Sequence, residues 1–331
     1  MIVVGGLTRL TQSGLSMVRW EPVSGVLPPL SEDSWQAEFD AYKAHPEYRL
    51  VNRDMDLSEF KAIFLWEYVH RLLGRIIGLA LVVPFVWLLW RRAVPPGCAG
   101  RLAGLVLLVG VQGLIGWWMV TSGLVDRPDV AHERLAIHLL AAMLLLVGLL
   151  WTALDLRADA AGRWAVEDRP TRWIGPFWTL LVVQLIMGAF VAGLDAGALF
   201  TTWPRMAGRW RPPGLTALHP WWSNLVDNPV TVQFVHRWLA VAVAAVAVGA
   251  AVVLHRAGAR VVAWALGASV LLQFGLGLIT LLNAAPVPLA ALHQAGAVLL
   301  VVVGVFASHW ARGGAPPDPG ATAWRRCRPD G

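Results

Sequence analysis

Hydrophobic residues are concentrated in seven long runs along this chain, separated by polar or proline- and glycine-containing segments. An α-helix needs roughly twenty apolar residues to cross the hydrocarbon core of a bilayer, and each run is close to that length. The pattern therefore predicts seven membrane-spanning helices. They cover residues 62–90, 102–120, 134–151, 173–194, 232–254, 261–282 and 289–310.

The first ten residues predict the end of a further helix. The opening stretch MIVVGGLTRLTQSG resembles MGAFVAGLDAG at the end of the fourth run, with Gly5 and Gly14 falling where Gly188 and Gly197 fall. Only four residues precede Gly5, which is fewer than a membrane crossing requires. We interpret residues 1–10 as a first helix that is truncated at its N-terminal side, so that the sequence predicts eight spans in all.

The helices form an internal repeat of two halves. Each half carries, in order, a glycine-rich helix end, a His-Arg dipeptide, a Gln-x-x-x-Gly element and a histidine followed by small residues. An even number of spans per half gives both halves the same orientation, so we predict an all-α membrane protein of two four-helix bundles related by a pseudo-twofold axis. The predicted divisions are 1–153 for the N-terminal half with an external lid at 11–61, 154–172 for a cytoplasmic connection, 173–310 for the C-terminal half and 311–331 for a cytoplasmic tail.

Composition and charge set the class and orientation of the protein. Because 57% of the residues are hydrophobic and 15% are charged, an ordinary soluble domain is excluded. Arginines crowd the connections at 91–101, 155–172 and 255–260, which places this side in the cytoplasm by the positive-inside rule. Cys98 and Cys327 both fall on this reducing side, so no structural disulfide is expected. The net charge of +6 forms no basic stripe suited to nucleic acid, and we expect contact with membrane lipid instead.

Four histidines lie near the predicted outer ends of four helices. Two open the same dipeptide, in EYVHRLLGR and QFVHRWLA, and the other two follow at corresponding places in RLAIHLLAA and PLAALHQAGA. An imidazole inside a membrane is costly and indicates a function. In a membrane bundle, the metal held by histidines of two facing helices is most often haem iron. The sequence therefore predicts two bis-histidine haem sites, one formed by His70 and His138 and the other by His236 and His293.

The Gln-x-x-x-Gly element begins at Gln112, Gln184 and Gln273. Small residues allow two membrane helices to approach closely, and a glutamine can supply a polar partner across the contact. We interpret the element as a packing motif, with a ligand role as the alternative.

Glu67 precedes His70 by three residues, whereas Gln233 occupies the corresponding place in the second half. A carboxylate one turn from an iron ligand lies on the same helix face and suits proton transfer or the binding of a reactive intermediate. The asymmetry indicates one working centre and one supporting centre. The alternative is an interfacial ion pair with Arg71, four residues further on. Arg71 and Arg237 are candidate partners for haem propionates, although both could simply extend towards the interface.

His132 competes with His138 as a ligand. His293 follows Gln273 by 20 residues, and the residue at the same interval after Gln112 is His132. The local pattern of helix residues favours His138 instead. We prefer His138. For His45, His219, His255 and His309, which lie in loops or at interfaces, structural roles are expected.

Several long motifs resemble the heme A synthase family of aerobic bacteria and mitochondria. They are GGLTRLTQSGLSMVRWEPVSGVLPPL, NRDMDLSEFKAIFLWEYVHRLLGR, QGLIGWWMVTSGLVDRPDV with RLAIHLL, and VQFVHRW with HQAGA. The resemblance extends from residue 1 to about residue 310. The chain lacks the external cysteine pair of some bacterial members, so it is similar to the branch shared by proteobacteria and mitochondria.

The resemblance implies a reaction and a set of roles. The family oxidises the C8 methyl group of haem O to the formyl group of haem A through an alcohol, with haem O in the first half and haem b in the second. Catalytic roles would fall to Glu67, His70 and His138, and haem b would lie between His236 and His293. It further implies a bacterial inner-membrane protein with haem sites on the periplasmic side, working with heme O synthase and cytochrome oxidase assembly factors and able to self-associate. The competing hypothesis is a dihaem b-type electron-transfer protein that leaves its haems unmodified.

Overall fold

A computed structural model describes residues 1–21, 24–95, 97–160 and 169–313, and these residues form an all-helical membrane protein. Seven helices are long and apolar enough to cross a membrane, which confirms the seven predicted runs. Six of them extend beyond the predicted boundaries, because polar and charged residues continue the helices past their apolar cores. These helices are α4 (Leu57–Trp90), α5 (Ala99–Thr121), α6 (His132–Ala160), α7 (Ile174–Gly193), α8 (Pro229–Arg256), α9 (Arg260–Leu282) and α10 (Val287–Ala311).

Three shorter helices precede them. Helix α1 (Ile2–Leu10) has nine residues and lies where the truncated first span was predicted. Helices α2 (Glu32–Lys43) and α3 (Pro46–Leu50) belong to the predicted lid. Helix α4 begins at Leu57, inside the segment predicted as the lid, and α6 continues to Ala160, inside the connection predicted at 154–172. Residues 161–168 and the tail from 314 lie outside the described residues.

Local signals explain where the two His-Arg helices begin. Asp56 caps α4, because its carboxylate accepts a hydrogen bond from the Glu59 amide at 2.8 Å while the Glu59 side chain accepts one from the Asp56 amide at 3.1 Å. Asn228 caps α8 by accepting from the Val230 amide at 3.0 Å, and Pro229 occupies the first helical turn. Both caps fix the start of a helix and thereby the height at which its histidine lies.

The halves meet along two equivalent seams, α1 with α10 and α6 with α7, and also where α6 contacts α10. Helix α1 packs against α10, where the side chain of Gln294 lies directly on Gly6 and donates to the Ile2 carbonyl at 3.1 Å. Helix α6 packs against α7 along Ala136, Met187 and neighbouring apolar side chains. Exchanging the halves converts one seam into the other, since α1 corresponds to α7 and α10 to α6. This is the arrangement that the predicted pseudo-twofold requires.

The halves differ in how tightly they are packed. The main apolar core lies between α7, α8, α9 and α10, around residues such as Phe177, Leu266 and Val301. In contrast, the buried residues of α4 are confined to its first turns, and α5 has one buried residue, Leu105. Beyond Glu67, α4 therefore presents its side chains to the bilayer or to whatever binds in the first half.

Candidate functional site

Each of the four predicted ligand histidines packs against a glycine of the preceding membrane helix. A Cβ atom placed on that glycine would lie between 2.7 and 3.1 Å from the imidazole Cε1. At Gly5 and Gly277 an added Cβ would force the imidazole to shift, and at Gly116 and Gly188 the ring would have to give by a few tenths of an ångström. The four pairs are Gly5 with His70, Gly116 with His138, Gly188 with His236 and Gly277 with His293.

Three of these glycines are the glycines of the Gln-x-x-x-Gly element. The predicted packing role is therefore seen, and its partner is a histidine ring. The glutamine one turn earlier also reaches the ligand helix: the Gln112 amide donates to the His138 carbonyl at 2.9 Å, and Gln184 Nε2 lies 3.4 Å from His236 Nε2. The four-residue spacing in the sequence indicated close packing at these glycines, but it did not indicate that the facing residue is a histidine.

His70 and His138 face one another across the first half. Their ring centres are 6.5 Å apart and the rings are inclined by 71°. The Nδ1 atom of each ring is buried without a hydrogen-bond partner, while each residue as a whole stays partly accessible. Metal–imidazole bonds are about 2 Å long, so a metal held between two rings places their centres about 6 Å apart. The pair therefore fits a metal with two axial imidazoles.

His236 and His293 have the same surroundings in the second half. Both Nδ1 atoms are buried without a partner, and both rings lie against glycine. Buried polar atoms normally have a hydrogen-bond partner. Four Nδ1 atoms without one, at four equivalent positions, therefore indicate that these rings have a role other than hydrogen bonding within the protein. The donor set fits a second haem iron.

His132 lies elsewhere, at the start of α6 in the seam between the halves. Its ring contacts Phe190 with 5.1 Å between ring centres, and its Cβ is pressed against Gly193 of α7. Its Nε2 lies 3.4 Å from Asp227, next to the start of α8. Of the two candidates, His138 is the one that the fold brings beside His70.

Glu67 is almost completely buried, at 2% exposure, and is held by three donors. Its Oε2 accepts from the Ser16 hydroxyl at 2.7 Å and from the Met17 amide at 2.8 Å, and its Oε1 accepts from Arg71 at 2.6 Å. An ionised carboxylate is an acceptor only, and three donors suit that form. The ion pair with Arg71 is thus present, and it belongs to a buried network at the His70 site and not to a solvated surface.

Gln233 takes the place of Glu67 in the second half and bonds in the opposite sense. Its amide donates to the carbonyls of Gly197 and Phe200, both at 3.2 Å. Gln233 therefore holds the loop after α7, which is equivalent to the loop that Glu67 holds, by donating hydrogen bonds to it. It offers no charge and no proton acceptor of comparable strength.

Arg71 anchors the loop that follows α1. Besides Glu67, its guanidinium donates to the carbonyls of Met17 at 2.8 Å and Arg19 at 3.1 Å. A guanidinium has five N–H donors, so these bonds leave capacity for a further acceptor.

Arg237 anchors the loop that follows α7. It donates to the Thr202 carbonyl at 2.7 Å and to the Phe200 carbonyl, and its Nε is buried without a partner. Positions 17 and 200, 19 and 202, and 5 and 188 are all 183 residues apart (200 minus 17, 202 minus 19, 188 minus 5). The helix, the loop and the arginine that holds it are therefore repeated in register.

Two of the remaining histidines have defined partners. His45 Nδ1 lies 3.1 Å from the Leu124 carbonyl and links the lid to the connection between α5 and α6. His309 Nε2 lies 3.0 Å from buried Asp155, which also binds Arg101 at 2.5 Å at the opposite end of the bundle. Both arrangements are consistent with the structural roles expected for these residues.

The chain is similar to proteins of one family over nearly its whole length. The COX15-CtaA family, described as cytochrome oxidase assembly protein, matches residues 1–305. The chain is 48% identical over 309 residues to a heme A synthase of Sphingopyxis alaskensis, an alignment covering 93% of this chain and 87% of the relative. Heme A synthases of Rhizorhabdus wittichii (46% identical, 93% and 89% covered) and Rhodospirillum centenum (47%, 96% and 85%) are similar to the same degree. No solved structure matches the chain. On the extent of these matches, the chain belongs to the COX15-CtaA family of cytochrome oxidase assembly proteins.

Proposed function

We propose that this protein acts as a heme A synthase, an oxidoreductase that converts the C8 methyl group of haem O through an alcohol to the formyl group of haem A. Haem O would bind as the substrate between His70 and His138, and haem b would be the resident cofactor between His236 and His293. Both sites would face the periplasmic side of the inner membrane, as the arginine-rich connections on the opposite side indicate.

The observation that carries this proposal is the pairing of His70 with His138, with a fixed carboxylate one turn away. The 6.5 Å between the ring centres would allow both imidazoles to hold one haem iron. Glu67 is buried and held from three directions, so it is positioned before any substrate binds. Preorganised groups of this kind accelerate reactions because no binding energy is needed to orient them.

The difference between the halves supports the assignment of substrate and cofactor. Glu67 supplies a proton acceptor only in the first half, whereas Gln233 supplies none in the second. The first half also presents more of its helix surface to the bilayer. A substrate that must enter from and return to the membrane, with a long apolar tail, suits the open half, and a resident cofactor suits the closed one.

The two arginines are assigned to the propionates of the two haems. Each already holds a loop, and each guanidinium retains free donor capacity next to its histidine. A propionate would therefore add to the existing network, and the loops would become more ordered when a haem binds.

The division of labour follows from the chemistry. Oxidation of a methyl group is too difficult for amino-acid side chains alone, and the resident haem supplies one-electron redox chemistry and a route for electrons to an external acceptor. The protein's residues do the rest: the histidines orient the macrocycle, and Glu67 accepts protons released at the C8 substituent. Heme O synthase, as the source of the substrate, and oxidase assembly factors, as recipients of the product, are the expected partners.

Haem extraction tests the proposal. The purified protein, expressed together with heme O synthase, is extracted with acid acetone and its haems are separated by chromatography. A heme A synthase yields haem A and its alcohol precursor beside haem b. A preparation containing only haem b, with haem O supplied and unchanged, would instead identify a dihaem electron-transfer protein.

A further inference from the structure

The lid contains a buried carboxyl group that the proposed reaction has not yet used. Glu47 lies in α3 and is 4% exposed, and its Oε2 is buried without a hydrogen-bond partner. Helix α3 is fixed in place, because His45 at its start contacts the Leu124 carbonyl. A buried acid with an unsatisfied oxygen is costly, so its position calls for an explanation.

The same part of the lid is joined to the loop that holds Glu67. Phe39 and Tyr42 of α2 pack against Phe60 of α4, which also contacts Phe64, in one buried aromatic cluster. The Met17 side chain packs against this cluster, while the Met17 amide is one of the donors to Glu67. The lid around Glu47 and the carboxylate beside His70 therefore belong to one packed unit.

Charged and polar groups of α1, α2, α4 and the segment before α6 act on Glu47. Burial is the main cause that raises its pKa, to about 8, and the nearby charges of Glu67 on α4 and Asp129 before α6 raise it further. A hydrogen bond with the Tyr42 hydroxyl and the charge of Arg9 on α1 act in the opposite direction. At neutral pH, Glu47 is therefore a neutral acid whose surroundings include the carboxyl group of Glu67.

A route to the outer surface continues from this acid. Asp129, which is 41% exposed, lies 3.7 Å from Arg9, and Arg9 also binds Asp195 at 3.1 Å. Burial raises the pKa of Asp129 as well. Arg9 and Asp129, whose charges both act on Glu47, thus link the surroundings of the buried acid to a carboxylate that is exposed to water.

We propose that Glu47 is a proton relay between Glu67 and the external surface, taking up protons that Glu67 accepts and passing them towards Asp129. The inference rests on the proposed function, since each two-electron oxidation of a C–H bond releases protons that must leave a water-poor site. Glu47 first releases its own proton outward, and the proton on Glu67 then moves to the Glu47 carboxylate. Both groups return to their starting forms, so the transfer is balanced. Neighbouring carboxyl groups whose surroundings favour opposite protonation states are a recurrent basis of acid–base catalysis.

The simpler explanation is that Glu47 is a structural acid. Glu47→Gln separates the two, because the amide matches the size and neutrality of the protonated acid but carries no exchangeable acidic proton. Glu47→Asp retains the acid. The matched control is Asp54→Asn, which removes an exposed carboxylate from the same external segment.

Infrared difference spectroscopy on the purified full-length protein tests the protonation state without any turnover. The wild type should show the carbonyl band of a protonated carboxyl group that disappears as the pH is raised through about 8, and Glu47→Gln should lack this band while Asp54→Asn keeps it. Absence of the band in the wild type overturns the relay even if haem A is made.

Activity then tests the role. We expect Glu47→Gln to lower the rate of haem A formation at least about tenfold with haem b content unchanged, and Glu47→Asp to restore part of the rate. A normal rate and an unchanged pH profile in Glu47→Gln would assign Glu47 a purely structural role. If the wild type retains the infrared band but makes no haem A, the proposed function fails and the relay fails with it as a device of that reaction.

Discussion

Glu67 and Gln233 occupy equivalent positions three residues before the two His-Arg dipeptides, but they bind their loops with opposite polarity. Glu67 accepts from the Met17 amide at 2.8 Å, whereas Gln233 donates to the Phe200 carbonyl at 3.2 Å. The repeat thus preserves the hydrogen bonding between helix and loop, but the side chain accepts in the first half and donates in the second. A single substitution of this kind is enough to place a carboxyl group beside only one of the two similar histidine sites.

Glu67→Gln should abolish haem A formation while leaving haem b bound. The amide retains the shape of the side chain but removes the charge that Arg71, Ser16 and Met17 surround, so some loss of stability in the first half is also expected, of about 1–3 kcal/mol. Haem extraction measures the product, and the haem b spectrum reports the integrity of the second half. Normal haem A output from this variant would return Glu67 to a structural role.

The two histidine pairs should respond differently to alanine substitution. His236→Ala or His293→Ala should lower the haem b content, whereas His70→Ala or His138→Ala should spare haem b and eliminate the product. His132→Ala provides the control in the same helix as His138. Equal loss of haem b from all four ligand variants would contradict the division into a substrate site and a cofactor site.

The glycine beneath each histidine gives a further test with a matched control. In Gly277→Ala, the new methyl group would lie 2.7 Å from the His293 Cε1, which should displace the ring and lower haem b content, at a cost of about 1–3 kcal/mol. In Gly275→Ala, the methyl group meets nothing within 4 Å. Absorption spectra of the two purified variants distinguish them, and similar haem b content in both would show that the close approach is not required.

The lid should become less stable as the pH rises. Burial raises the pKa of Glu47 from 4.5 to about 8, so the folded lid binds its proton more tightly than the unfolded lid does. The stabilisation is complete below pH 4.5 and is lost as the pH rises through about 8, at up to ~1.4 kcal/mol per pH unit. Limited proteolysis of residues 32–50 should therefore accelerate as the pH rises from 4.5 to about 8 in the wild type and level off above that. Glu47→Gln should flatten this dependence, and an equally steep dependence in the variant would assign it to other groups.

Reporter fusions test the orientation. Fusions after Gly97 and Gly313 should report the cytoplasm, and one after Ala217 should report the external side, because the arginine-rich connections define the inner side. Gly162 lies outside the described residues, in the connection predicted at 154–172, which contains four arginines. A fusion there should also report the cytoplasm. An external signal at Gly162 would reverse the side on which every ligand histidine lies.

The sequence by itself determined the membrane helices, the repeat and the histidine pairs. Helix length in a bilayer and the spacing of residues along a helix are local properties, so the seven apolar runs and the two His-Arg dipeptides could be read directly. A helix at the start of the chain was predicted from the spacing of Gly5 and Gly14, and the contact between Gly5 and His70 agrees with that register.

Only the tertiary structure decided which residues meet. The ring of His138 lies beside His70 and the ring of His132 in the seam with α7 because rotation about a helix axis is fixed by packing against other helices, which no local pattern encodes. The loop that returns Ser16 and Met17 to Glu67 closes over fifty residues. The burial of Glu47 depends on the same folding of the lid onto the bundle, since a glutamate in a short polar segment is ordinarily exposed and becomes a buried acid only when an aromatic cluster and a charged network enclose it.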